Sequence, residues 1–428
     1  MIKLKNSEIV LVLIYKILLD ISYAFTESTL WGYTGFEMVF NTNRLIIGWF
    51  FFLITYFLIR DDHNDICTLF CHVIFFVSIT PFLVIYQFCS FICWWMVLLQ
   101  TACIVYMNIL FRITRRFKSV RIRGFSYKSI QLRYIIVIGL LFYLILTIIK
   151  LGIPGVSALS FFNSYDTRAA VNLSALDAII QNVICKIVGP ACFLLSVKEK
   201  KWSFAAFIML IQVYTYAVTG FKTYLFILVV LIGIQFFKKS TIKQIILTGL
   251  PLALFAADIG YRLTGSVMVY ALIGNRVFFT PALIKYCYFD YFSKHDSVHF
   301  SQNTISKIFG VTSNYDRPVP NIIGETYFGK PNQWTSTGFM SDAFANGGIG
   351  GVFLIATVLS IVLIILRFGL KYVSEDLQVC IQSIFLIFFI TLNDGTAISV
   401  LFSGGMLLTV ILIYIVDFRK RKANCESD

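Results

Sequence analysis

Charge is what this chain has least of. Only 14% of its 428 residues are Asp, Glu, Lys or Arg, against about a quarter in a soluble globular domain. With 58% of residues hydrophobic and 17% aromatic, a water-soluble globule is excluded. Other absences narrow the class further. The alternating patterns of a membrane barrel are missing, as are internal repeats. No small-residue cleavage site follows the first apolar run, which therefore reads as a retained helix rather than a removed signal. Of the ten cysteines, only Cys287 falls in the longest loop, which argues against a disulfide framework. Cys67 with Cys71 and Cys89 with Cys93 have helical spacing, but no histidine nearby completes a zinc set, so packing is their role. No Asp-x-Asp pair stands in any outward segment. Neither a metal site nor a cofactor is expected.

What the chain has is membrane-length apolar runs. A helix needs about 20 apolar residues to cross the hydrocarbon, and it satisfies its backbone groups internally. Twelve such spans are read at 8–25, 44–59, 66–86, 91–111, 134–150, 176–196, 202–219, 223–237, 243–258, 347–366, 379–393 and 400–416. The fold class is an all-α polytopic membrane protein, a single integral membrane domain over 1–428. The net charge of +14 is spread as punctuation between the runs, not as a continuous face, so nucleic acid is not the expected partner. Arg112, Arg115, Arg116, Lys118, Arg121, Arg123, Lys128 and Arg133 form one acid-free loop, and Lys198 to Lys201, Lys238-Lys239 and Arg419 to Lys422 form further clusters. The positive-inside rule places these, and both termini, in the cytoplasm. Membrane lipid is the natural partner of such loops. Lys16 and Asp20, four apart on the first helix, are expected to pair with each other or reach the interface rather than bind a ligand.

One large outer loop, 259–346, then lies between the ninth and tenth spans. Its aromatic first half suits helices at the interface, with Phe278, Phe279, Tyr286, Tyr288, Phe289, Tyr291 and Phe292 at headgroup depth; a thirteenth span is the competing reading. Cations on the outer face run against the orientation bias. Arg168 lies in Asn163-Ser164-Tyr165-Asp166-Thr167-Arg168, Lys222 at the mouth of a hairpin, Arg262 at the exit of the ninth span, and Arg276 in the interfacial stretch. Together they would make an anion site, diphosphate being the obvious candidate. Lys186, near mid-bilayer with Gln181 and Asn182, either lines a cavity or pairs structurally. Asp342, just before the chain re-enters the membrane, is the best-placed carboxylate for general-base work. His295 and His299 lack a third ligand and read as interface residues. Glu325, Tyr327 and Asn346 belong to polar, Gly-rich segments that suit a hydroxyl-rich ligand such as a glycan. Gly347, Gly348, Gly350 and Gly351 read as permitting close helix packing.

The chain resembles the Wzy-type polymerases of bacterial polysaccharide synthesis. Three features carry the resemblance: about twelve spans with one dominant late outer loop, the Tyr165-Asp166-Thr167-Arg168 island, and the re-entry Ser336-Thr337-Gly338-Phe339 with Asp342 and Asn346-Gly347-Gly348-Ile349-Gly350. It implies a glycosyltransferase of the bacterial inner membrane. Such an enzyme moves a growing glycan from one undecaprenyl diphosphate carrier to a new carrier-linked repeat unit on the periplasmic face, building O-antigen or capsule. It also implies a chain-length regulator as partner. Arg168 and Arg276 would correspond to the outer-loop arginines of that family; Arg276 would steady the leaving diphosphate and Asp342 would orient or deprotonate the acceptor hydroxyl. A lipid-linked oligosaccharide flippase and an O-antigen ligase are the rival readings.

Overall fold

In this computed structural model the described residues are 2–61, 63, 65–117, 129–160, 167, 168, 170, 171, 173–236, 242–303, 306, 309–373 and 375–415. Lys118, Arg121, Arg123, Lys128 and residues 163–166, 238–239 and 419–422 lie outside them. Among the described residues all regular structure is helical, and ten helices are long and apolar enough to cross a membrane. This is a multi-pass helical membrane protein. Each of the twelve expected spans coincides with a helix, three of them shorter: Ile136–Leu151, Thr223–Gly233 and Leu377–Thr391. The tenth long helix, Val267–Phe292, falls inside the 259–346 loop.

Four π-helical stretches occur among the described residues, and in three of them, Tyr23–Glu27 being the exception, a proline follows two residues later. Phe75–Ile79 precedes Pro81, Ile184–Val188 precedes Pro190, and Ala271–Phe279 precedes Pro281. Proline lacks an N–H and its ring crowds the carbonyl four residues back. The wider turn relieves that clash while the helix continues. At the first of these the Thr80 hydroxyl donates to the Phe75 carbonyl at 2.8 Å.

The helices group into two compact units. The first comprises Met1–Lys118, Ser240–Ile364 and Phe389–Val400. At its centre is Ile66–Phe88, buried along its whole length. One end of the unit carries charge: Lys243 meets Glu8 at 2.8 Å, and Arg115 grips Asp61 and, at 3.1 Å, Asp65. At the other end the Arg44 guanidinium donates to the carbonyls of Tyr86, Ser90 and Ile92 at 2.7–3.0 Å, closing the 89–93 turn onto the second helix. Lys16 and Asp20 pair with each other, and the amine also donates to Gln87 Oε1 at 2.7 Å.

Val267–Phe292 is one continuous helix, and its aromatic face corrects an expectation. Phe278, Phe279, Tyr288, Phe289 and Phe292 are buried against other helices of the unit rather than exposed on its surface. Near its start Tyr270 stacks on Trp31 at 5.8 Å, and near its end Tyr286 meets Phe91 at 4.5 Å. Trp31 and Phe91 both belong to the Arg44 end of the unit, so both ends of this helix meet that same end. The aromatic surface was read as lipid-facing because the loop looked peripheral; it is instead the lid of the core.

The second unit comprises Ser119–Lys239, Ile365–Phe388 and Leu401–Asp428. Polar pairs knit it: Gln212 donates to the Cys185 carbonyl at 2.7 Å, Asn182 to Ser403 O at 3.1 Å, and Tyr414 to Ile365 O at 2.6 Å.

Asp61 predicts an acid limb. Burial opposes its charge, but the His63 N–H and ring and the Arg115 guanidinium outweigh burial and hold its carboxyl down at about 2. A depressed folded value stabilises above the unfolded value of about 3.9 and is lost as pH falls through the folded one. Between about pH 4 and pH 2 the native protein should lose on the order of 2 kcal/mol through this group. Thermal unfolding in detergent across that window checks it: Asp61→Asn should start less stable and show a shallower fall, and an equally steep fall would contradict the assignment.

Candidate functional site

The site is built by a helix that breaks on purpose. Phe339–Leu370 is interrupted at Gly347 and Gly348, the latter at φ 58°, ψ −147°, a conformation essentially reserved for glycine. The break frees the last carbonyls of 339–346, and the loop supplies their donors. Val298 N donates to Ala345 O at 2.9 Å and His299 N to Asn346 O at 3.2 Å. To lie there, His299 and Phe300 both adopt positive φ, 53° and 57°, at a cost of roughly 1–2 kcal/mol each. Gly347 and Gly348 thus break the helix rather than merely allowing packing, whereas Gly351 does permit a close approach, since a Cβ there would press on the Ala343 carbonyl.

Asp342 sits in the first turn of this helix and faces a cavity of about 690 Å³. Hydroxyl, amide and aromatic groups share its lining, among them Gln302, Tyr315, Trp334, Thr396 and Ser399. Among the described residues the Asp342 carboxylate has one weak side-chain partner, Asn346 Nδ2 at 3.4 Å. It is free to accept a hydrogen bond from a bound hydroxyl. Asn346, expected as a glycan ligand, lines the same cavity and also ties the loop to the Asp342 turn: its Oδ1 accepts from Phe300 N at 2.8 Å and its Nδ2 donates to Asp342 O at 2.8 Å.

A second cavity, about 630 Å³, adjoins the first, with Trp334 and Ser336 lining both. Arg276 and Tyr327 line it, as do Trp31, Lys330 and Asp394. The Arg276 guanidinium is exposed and without a hydrogen-bond or ion-pair partner among the described residues. Tyr327 donates to Asp290 Oδ2 at 2.6 Å. Burial and that carboxylate push its phenol well above the usual range, so it remains a donor.

The remaining expected residues separate. Glu325 is ion-paired with Arg317 and lines neither cavity. Arg262 is held by Asp258 at 2.9 Å, one turn back on its own helix, and also lines neither. Arg168 and Lys222 both belong to the second unit, where the Arg168 guanidinium lies 4.7 Å over the Phe221 ring and donates to Gly220 O at 3.2 Å. Lys186 occupies the π-helical turn Ile184–Val188 of that unit. His295 stacks on Tyr291 at 3.9 Å, and no group of three or more metal-ligating side chains occurs among the described residues. Sequence reasoning missed Lys330 and Trp334. Their one signal was position, in Lys330-Pro331-Asn332-Gln333-Trp334 between a helix and the re-entry.

No family model matches this chain, and no curated protein or solved structure matches it either.

The break itself can be tested. Gly348→Ala forces a side chain into a strained backbone region and should cost about 1–3 kcal/mol, read as a lower unfolding midpoint in detergent. Gly350→Ala, where an added Cβ meets nothing within 4 Å, should leave the midpoint unchanged or raise it. Equal behaviour of the two variants would refute the role given to the break.

Proposed function

We propose that the protein polymerises carrier-linked oligosaccharide: at the periplasmic face of a bacterial inner membrane it transfers a growing glycan from one undecaprenyl diphosphate to the terminal sugar of a new lipid-linked unit. The observation that supports this most is the pair of adjoining cavities with a common wall, one presenting the Asp342 carboxylate and the other the unpartnered Arg276 guanidinium. A glycosyl transfer of this kind needs both. The acceptor hydroxyl oxygen attacks the anomeric carbon as the bond from that carbon to the diphosphate oxygen breaks. The acceptor proton passes to the Asp342 carboxylate, and the electron pair leaves with the diphosphate, whose growing charge Arg276 offsets. Tyr327 and the indole of Trp334 offer a donor and a stacking face for sugar.

A transporter would use ionisable groups at depth. Two buried lysines in the first unit answer that description, yet both are bound: Lys16 by Asp20 and Gln87, and Lys285 by Ser78 at 2.7 Å and Asn393 at 2.5 Å. The product, O-antigen or capsule, and a chain-length regulator as partner follow from the family resemblance.

The test is polymer length after purified protein is incubated with its lipid-linked repeat unit. The unaltered protein should give a ladder. Arg276→Ala and Asp342→Asn should each cut polymer formation by at least about 100-fold, the usual scale for losing one charged group acting on the transition state. Arg168→Ala measures whether the cation pair of the second unit contributes. Carrier-linked sugar crossing vesicles with no ladder would replace this reading with a flippase.

A further inference from the structure

The two cavities differ in the sign of their uncompensated charge. In the first, the charged lining residues are Asp316, Asp342 and Arg317, and Arg317 is already paired with Glu325. In the second they are Arg276, Lys330 and Asp394. The two cations outnumber the single acid there. The side chain of Lys330, like that of Arg276, has no partner among the described residues and is exposed. The first cavity is therefore net acidic and the second net basic.

Lys330 is placed by its backbone. The helix Val319–Phe328 ends at Gly329, which takes φ 64°, so the chain reverses in a left-handed cap that suits glycine. Gly329 N donates to Glu325 O at 3.0 Å and Lys330 N to Gly324 O at 3.2 Å. The following turn is fixed in the same way, with Gln333 N donating to Lys330 O at 3.0 Å and Tyr288 hydroxyl to Thr335 O at 2.9 Å. On the far side, Asn275 is held by Glu27 at 2.6 Å and by the Thr280 hydroxyl at 2.8 Å, which fixes the turn carrying Arg276. Two solvent-facing cations are thus mounted on two independently fixed turns around one cavity.

We propose that Lys330 is the second cation of a diphosphate-binding chamber, acting with Arg276, and that the anionic end of the substrate enters this chamber and is refused by the acidic one beside it. This rests on the reading of the protein as acting on a lipid diphosphate. Arginine supplies a planar fork that can grip phosphate oxygens bidentately and lysine a point charge, so the two can each take one phosphoryl group. Free inorganic phosphate and lipid headgroup phosphate share this chemistry, and a two-phosphate anion offers a group to each cation.

The test is calorimetric titration of inorganic pyrophosphate into the full-length protein in nanodiscs of phosphatidylcholine, whose headgroup phosphate is present throughout. The unaltered protein should bind pyrophosphate more tightly than orthophosphate. Lys330→Ala and Arg276→Ala should each weaken it at least about tenfold, the scale of a charge-assisted contact, and Lys330→Arg should retain it. Lys201→Ala, in the other unit and paired with Glu199, controls for bulk charge and should change nothing. No binding to the unaltered protein, equal affinity for orthophosphate, or unchanged binding by Lys330→Ala would each overturn the proposal. Failure of the polymerase reading looks different: pyrophosphate would still bind through Lys330 while no ladder forms from the lipid-linked unit.

Discussion

In hydrocarbon, a backbone N–H or C=O without a partner costs several kcal/mol, and the architecture around the cavities follows from where this chain lets helices end or loosen. Three prolines inside helices are tolerated because a π-turn precedes each one. The late helix goes further and breaks outright at Gly347 and Gly348, and its freed carbonyls are taken up by Val298 and His299 of the loop. That exchange fixes the loop against the helix. It also sets the Asp342 turn at an angle to the long helix that follows, so the carboxylate faces a cavity instead of lying along a continuous spanning surface. Two left-handed non-glycine residues, His299 and Phe300, are the strain that remains, and strain of this kind collects where geometry matters more than stability.

The spans were legible because hydrophobic runs report length and solvent directly, and every one of the twelve coincides with a helix. Asp342 and Arg276 stood out in the sequence for a weaker reason, since a lone carboxylate before a re-entry and a cation on an unexpected face each violate a bias, and both line cavities in the fold. The tie that Asn346 makes was not legible. Its type suits a sugar ligand, but its amide also bonds Phe300 and Asp342, a fact of three-dimensional pairing across 46 residues. Arg262 and Glu325 failed for the same reason in reverse, since each has an acid or base within hydrogen-bond reach that neutralises it. The aromatic helix Val267–Phe292 misled because aromatic residues suit both a headgroup boundary and a protein core; only its contacts with Trp31 and Phe91 decide between the two.

Two buried lysines of the first unit are bound by neighbours: Lys16 by Asp20 and Gln87, and Lys285 by Ser78 and Asn393. Buried ions so bound are expensive structural ties, and breaking one strands the other. The cations Arg276 and Lys330 and the carboxylates Asp316 and Asp342 face the cavities instead and lack full protein partners among the described residues. A group left unsatisfied beside open space is one whose partner is meant to arrive.

That contrast gives the two cavities a division of labour that neither has alone. An acid and a cation within hydrogen-bond reach neutralise each other, as Arg317 and Glu325 do nearby. Separated by the wall that Trp334 and Ser336 form, each keeps its charge for a ligand. A glycosyl transfer from a diphosphate carrier needs this separation, because the group that accepts a proton must stay anionic while the group that receives the leaving oxygen must stay cationic, within one substrate's length of each other. On the proposed function, the shared lining is where the bond between sugar and phosphate would lie, and an indole is suited to it: flat against a sugar, and carrying no charge that would cancel either side.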